Sequence, residues 1–359
     1  MRDLKRRVQD PQAPWTRSPE MNYVGVDLHK KVITVCVMDA NRKIVRETTL
    51  HSCEPHRIVA FFEGLGEYCV VLEATSSYFW FVELLEPTAA EIVLANPSKM
   101  RVIAESTKKT DKLDARVLAE FLARDMIPRA YMPTPRQRKH RALVRHRKYL
   151  REEATAVKCK LRHVLADHNA DRKDLFSAEG KAYLEDLKLD EVDRFRVTDL
   201  WKAWESIEKR LKTTAAKIRA FAKKAPRAEA EARAALKTAP GVGEVTAEVV
   251  LSELGDVRRF KNAKAVCAYA GLVPVVRQTG GKKAKDGRIT KQGSGLLRWA
   301  LVEAAWRLVG KQGRWERTYQ RIKKRNGAKR AIVAVARKLL CVLYAMLRDA
   351  QPYQVFPAA

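Results

Sequence analysis

The sequence predicts an α/β domain followed by a mainly α-helical chain, and three observations carry that expectation. Residues 22–50 hold runs of alternating, β-branched character, and short helical and strand-like segments then alternate up to about residue 125. From 136 to 235 the chain is charged, Ala-rich and nearly free of Gly, Pro and β-branched runs, which favours long helices. Near residue 240, Pro240-Gly241-Val242-Gly243 separates two segments of helical periodicity.

The elements follow in order. Residues 22–39, NYVGVDLHKKVITVCVMD, read as two strands, with Val24, Val26 and Leu28 alternating and 32–37 rich in Val, Ile and Thr. A third strand is expected over 43–50, a helix over about 55–66, and a buried strand at Cys69–Ala74. A helix over about 77–86, a strand at 91–94 and a helix over 111–125 complete the series. Three strands followed by alternating helices and strands is the order of a ribonuclease-H-like (RuvC-like) domain. That likeness speaks to fold and carries no chemistry by itself. The expected boundaries are a flexible basic arm at 1–21, the α/β domain at 22–135, and a helical spacer of coiled-coil type at 136–235. A C-terminal domain at 236–350 and a tail at 351–359 complete the chain. Met21 stands as an alternative start, because the folded pattern begins at Asn22. In the last domain 260–272 is expected to be helical, as are 296–309 and 331–347. The turn at 240–243 fits a helix-hairpin-helix, whose free amides face a helix N-terminus; an ordinary interhelical turn is the plainer alternative.

Composition narrows the partner. The 359 residues include 71 Lys and Arg against 42 Asp and Glu, a net charge of +29. Such self-repulsion is relieved by a polyanion, and nucleic acid gains affinity from each counterion that its phosphates release. The six cysteines form no C-x-x-C pair and have no His at zinc spacing, so they read as reduced thiols in a cytoplasmic protein. No stretch approaches a membrane span and the N-terminus lacks a signal-peptide apolar core. Residues 136–151 carry eight Lys and Arg and no acid, and 314–330 is similarly basic; both offer surface to a polyanion. Tyr149, Trp315 and Tyr319 read either as base-stacking residues or as packing residues.

The candidate chemistry lies in four carboxylates. Asp27 ends one apolar strand and Glu73 another, and a carboxylate in such a run needs a partner. Asp111 and Asp114 stand three apart on one helix face. Taken singly, each reads as a salt bridge or a helix cap. Together, at element ends that converge in a ribonuclease-H-like sheet, four like charges call for a hard divalent cation such as Mg²⁺. One or two such ions activate a nucleophile and stabilise a leaving oxygen in phosphodiester chemistry. His29, two positions beyond Asp27, shares its strand face, so it is either a neighbour of the metal or a surface histidine. The Val24-Gly25-Val26-Asp27 run also fits the first phosphate loop of actin-like ATPases and sugar kinases. That reading needs a second glycine-rich phosphate turn, and 140–235 contains none.

Here the residues carry a family resemblance. GVDLHKK at 25–31, LEATSSY at 72–78, NPSK at 96–99 and KTDKLDAR at 109–116 resemble the N-terminal domain of IS110 family transposases. PGVG at 240–243, GDVRRF at 255–260, AYAGLVP at 268–274 and GRITKQGS…LRWALVEAAW across 287–306 resemble their C-terminal domain. The resemblance implies a transposase or recombinase of an insertion sequence, with its four-acid DEDD signature on Asp27, Glu73, Asp111 and Asp114 and Mg²⁺ held there. It implies a nucleophilic hydroxyl in the C-terminal domain that links covalently to a DNA end, and donor and target DNA paired to a noncoding bridge RNA. It also implies a homodimer or homotetramer with active sites shared between protomers, in a bacterial, nucleoid-associated setting. The family's serine falls here on Thr279, whose extra methyl restricts χ1. Thr279 as the nucleophile, Ser294 in its place, or an inactive copy are the open readings. Lys282, Lys283, Arg288, Lys291 and Arg298, with Lys285, are expected to meet backbone phosphate, as are the amides around Gly241 and Gly243. Two rivals remain: a Holliday-junction-type nuclease that hydrolyses with water, and a nucleic-acid-binding protein without catalysis.

Overall fold

A computed structural model of the chain describes residues 20–74, 77–103, 111–277, 285–310 and 313–354. The chain divides into two units, residues 1–132 and 133–359.

In the first unit β1 (Asn22–Leu28), β2 (Val32–Met38) and β3 (Ile44–His51) form an antiparallel meander. Helix α1 (Pro55–Glu63) leads to β4 (Tyr68–Glu73), and α2 (Phe79–Leu85) to β5 (Glu91–Ala95). Helices α3 (Pro97–Ile103) and α4 (Asp111–Ala123) follow. The sheet order is β3-β2-β1-β4-β5, with β4 parallel to β1 and β5 parallel to β4. This mixed sheet is consistent with the ribonuclease-H-like order expected from the sequence. Helix α3 was not among the expected elements: Pro97 supplies a ready first-turn residue there, where the Asn-Pro pair read only as a strand stop.

Strand alternation sorts the core into two layers. Val24, Val26, Val70 and Leu72 face Phe62 and Phe81 from α1 and α2. Tyr23, Cys36, Cys69 and Val71 face the other way, onto Ala115, Leu118, Ala119 and Leu122 of α4. Each fully buried Val or Leu stabilises the unit by about 1.5–3 kcal/mol relative to exposure. Helix α4 is also tied to the sheet's edge, where Arg116 donates to both carboxylate oxygens of Glu47 on β3.

The second unit is built on two 33-residue helices, α5 (Pro135–Asp167) and α7 (Glu191–Lys223), with α6 (Ala178–Asp186) between them. Leu150 and Ala154 of α5 pack on Ile207 and Leu211 of α7. Next come α8 (Arg227–Thr238), α9 (Glu244–Leu254) and α10 (Ala263–Tyr269). A two-stranded sheet of β6 (Pro274–Arg277) and β7 (Lys285–Ile289) precedes α11 (Gly295–Val309), α12 (Arg314–Asn326) and α13 (Ala328–Asp349). The core gathers α9, α11 and α13, with Val250, Leu301 and Leu340 fully buried. The continuous helix expected over 260–272 is not formed. Asn262 takes an extended backbone and caps α10 by accepting from the Ala265 amide, so the helix starts after it. Within the Gly- and Lys-rich stretch that follows, Lys285–Ile289 forms β7.

The basic stretch 136–151 is only partly a surface. Arg136 pairs with Glu229, Arg145 with Glu253, and Arg141 donates to the carbonyl oxygens of Ser252 and Glu253. Glu248 and Glu253, both on α9, are buried, and Glu248 accepts from His140 Nε2 at 2.7 Å and from Arg233 Nε at 2.6 Å. These carboxylates lie some hundred residues away in sequence, so a local window shows only the cations. Tyr319 is likewise buried against Trp306, and Trp315 donates to the Tyr353 hydroxyl, so both are packing residues.

Candidate metal centre

Asp27 is the sixth residue of β1, on the face that carries Tyr23 and receives α4. In the parallel register Val26 lies beside Leu72, so Asp27 and Glu73 are the next residues along neighbouring strands. Alternation from Cys69 and Val71 puts Glu73 on the same face. Asp111 and Asp114 occupy the first turn of α4, the helix that covers this face. Acids in a first turn also favour the positive end of the helix dipole, so the single-residue reading and the cluster are compatible.

Close contact between helix and strand brings the groups together. A methyl group at Gly25 would stand 2.0 Å from the Ala115 carbonyl oxygen and 2.5 Å from the Ala119 amide nitrogen. No side chain fits between β1 and α4 at this point, and Asp27 is two residues further along the same strand face.

Among the described residues the close group here is Asp27, His29 and Asp111, and neither Glu73 nor Asp114 joins it. The Nε2 of His29 lies 3.0 Å from Asp27 Oδ2 and 3.6 Å from Asp111 Oδ1. One ligand atom from each of Asp27, His29 and Asp111 can be chosen so that all lie within 4.8 Å of one another. Burial pushes the Asp27 carboxyl above its ordinary range; His29 acts against the shift, while Asp111 and Asp114 add to it by repulsion. A carboxylate destabilised by burial and by like charges is a site that a cation relieves. The donors are hard oxygens with one imidazole at the rim, which suits Mg²⁺ or Mn²⁺. The sequence singled out the four acids; His29's place beside Asp111 depends on where α4 begins, which no sequence window shows.

The remaining predicted residues lie in the second unit. Gly241 has a positive φ of 78°, and a Cβ there would approach the Ala304 carbonyl oxygen to 2.8 Å, so the turn admits glycine alone. Gly243 is the N-cap of α9. Both border an open depression with Lys237 and Arg307. Ser294 is the N-cap of α11, its hydroxyl accepting from the Leu297 amide at 3.2 Å. Arg298 turns inward: its guanidinium donates to the carbonyl oxygens of Ala270, Gln292 and Gly293. Arg288 and Lys291 are exposed. Thr279, Lys282 and Lys283 lie outside the described residues. Among the described residues no helix is long and apolar enough to cross a membrane.

Comparison with known proteins agrees with both halves. Residues 24–169 match a transposase model of the DEDD, IS110 type, and residues 233–321 match the transposase IS116/IS110/IS902 family. The transposase for insertion sequence element IS1111A of Coxiella burnetii is 26% identical, over 93% of this chain and 92% of that protein. A probable family 20 transposase of Pseudomonas aeruginosa is 25% identical, over 91% of this chain and 97% of that protein. The pilin gene-inverting protein of Moraxella bovis is 25% identical, over 92% and 97%. The DEDD-type match spans all four acids and the second match spans the Gly241 turn and α11; the chain belongs to the IS116/IS110/IS902 transposase family and is a DNA transposase.

Proposed function

We propose that this transposase cleaves and exchanges DNA strands at a divalent-metal centre held by Asp27, Glu73, Asp111 and Asp114. The observation that carries the reading is the meeting of the α4 N-terminus with Asp27 at the sheet, with Asp111 close enough to share His29. These carboxylates would hold one or two Mg²⁺ ions, which would supply charge neutralisation at the scissile phosphate and acidify an attacking hydroxyl. The carboxylates fix the ligand directions, and His29 braces the carboxyl of Asp27 through its Nε2.

In this reading the attacking group is the Thr279 hydroxyl. Its oxygen forms an ester to phosphorus, the sugar oxygen leaves and takes up a proton, and a DNA end stays on the protein. Ser294 is the alternative, but its hydroxyl already serves as the α11 cap. Arg288 and Lys291, with Lys282 and Lys283, meet backbone phosphate; the amides around Gly241 and Gly243 offer a further contact. Arg298 instead holds the 292–293 backbone in place. The wider assembly in this reading is a homodimer or homotetramer guided by a bridge RNA, acting in the cytoplasm at the nucleoid. Inversion of a DNA segment, named for the Moraxella relative, is a reaction of the same class.

The test is to trap the protein on a DNA end. Incubation with its element's end sequence and Mg²⁺, followed by denaturation, should leave labelled DNA on the chain, and Thr279→Ala should remove it. Cleavage without any adduct would instead favour hydrolysis by water. Retained binding without cleavage in Mg²⁺ or Mn²⁺ would favour a protein that only binds nucleic acid.

A further inference from the structure

We propose that Cys341 is a peroxide-reactive thiol whose oxidised form is resolved by Cys267, joining α10 to α13 through an intrachain disulfide. The two sulfurs lie 3.5 Å apart, and both residues are free cysteines. A disulfide bond is about 2.05 Å long, so closure needs about 1.5 Å of approach between two neighbouring helices.

The two thiols are unequal in ways that set the order of events. Cys267 is fully buried, whereas Cys341 is part-exposed and lines a cavity of about 360 Å³ with Arg314, Trp315, Thr318 and Lys338. Small oxidants therefore reach Cys341 first. The charges around it also favour the thiolate. The hydrogen bond between the two thiols lowers Cys341 against the opposing effect of burial, and Arg337 and Lys338 assist. The same hydrogen bond, followed by burial, pushes Cys267 up. Cys36, in the first unit, shows what burial does without this arrangement: burial and then Glu47 push it up to about 11. Thiolate character with access to solvent is what makes a cysteine reactive.

The chemistry closes with a hydroperoxide as the named oxidant. The Cys341 sulfur attacks the outer peroxide oxygen; an S–O bond forms, the O–O bond breaks, and the alcohol or water leaves with the proton. Sulfur is oxidised to the sulfenic acid and the peroxide is reduced. Cys267 then attacks that sulfur; the S–S bond forms, the S–O bond breaks, and water leaves with the Cys267 proton.

The exposed thiols Cys53 and Cys159 are first replaced by serine in the full chain, so that they do not compete. One equivalent of hydrogen peroxide followed by non-reducing digestion and mass spectrometry should then give a joined Cys267–Cys341 peptide. Adding Cys267→Ser should leave a sulfenic acid on Cys341 that dimedone traps, and adding Cys341→Ser should leave Cys267 reduced. No joined peptide in a folded sample, or oxidation of Cys267 without Cys341, would overturn the proposal. Should a variant fail to fold, the unmodified protein gives the answer by competitive alkylation at neutral pH. Cys341 should react at least about tenfold faster than Cys36, and an equal or slower rate would overturn the proposal.

Discussion

Gly25 lies so close beneath α4 that a methyl group on it would stand 2.0 Å from the Ala115 carbonyl oxygen. The contact is backbone against backbone, so it has no flexible end to give way. It sets the height of α4 over β1, and with it the approach of Asp111 and Asp114 to Asp27. Gly25→Ala should therefore destabilise the first unit by about 1–3 kcal/mol and lower transposition more than the stability loss explains. Chemical denaturation beside a cellular transposition assay checks this. Wild-type stability in the variant would show that α4 is not held by this contact.

Asp27 should display a conflict between stability and function. Its carboxyl is pushed above its ordinary range by burial, and further by Asp111 and Asp114. A folded-state value above the unfolded one means that stability falls as pH rises from the unfolded value through the folded one. At neutral pH Asp27→Asn should then leave the melting temperature unchanged or raised, while any rise that Mn²⁺ or Mg²⁺ gives the wild type disappears. Thermal scans with and without metal measure both effects. A clear fall in melting temperature without metal would mean that Asp27 is structural.

The carboxylates on α9 should behave in the opposite sense. Burial pushes Glu248 up, but hydrogen bonds from His140 and Arg233 outweigh it and hold the group below its ordinary value. A depressed folded-state value contributes stability that is present above the unfolded value and is lost as pH falls through the folded one. Glu248→Gln should cost about 3–5 kcal/mol at neutral pH and flatten the acid limb of the stability profile. An unchanged acid limb would show that Glu248 is not the group whose protonation loosens α9 from α5 and α8.

Thr279 and Ser294 should separate cleanly. Ser294→Ala removes the α11 cap and should cost about 1 kcal/mol while leaving the covalent protein–DNA adduct intact. Thr279→Ala should abolish the adduct, and Thr279→Ser should restore it. Denaturing gels of labelled DNA read all three, and loss of the adduct in Ser294→Ala alone would reverse the assignment.

The acids of the candidate metal centre stand out in the sequence because their signals are local. Asp27 and Glu73 stand out as carboxylates at the ends of apolar strands, and Asp111 and Asp114 as an i, i+3 pair at a helix start. The succession of three strands and then alternating helices and strands was legible as well. What escaped depends on distant partners. His29 reaches Asp111 only because α4 begins above the end of β1. Arg136 and Arg145 look like a basic surface until Glu229 and Glu253 arrive from about a hundred residues downstream. Arg298 looks like a phosphate ligand until the 292–293 turn folds back onto it. Cys267 and Cys341 are separated by 74 residues and form no motif.

The central claim is that the four carboxylates perform strand cleavage and transfer rather than hold the fold. Asp27→Ala and Glu73→Ala should each abolish recombination in cells while the purified variants stay folded and bind DNA or RNA nearly as well as wild type. Full recombination by either variant would contradict the account.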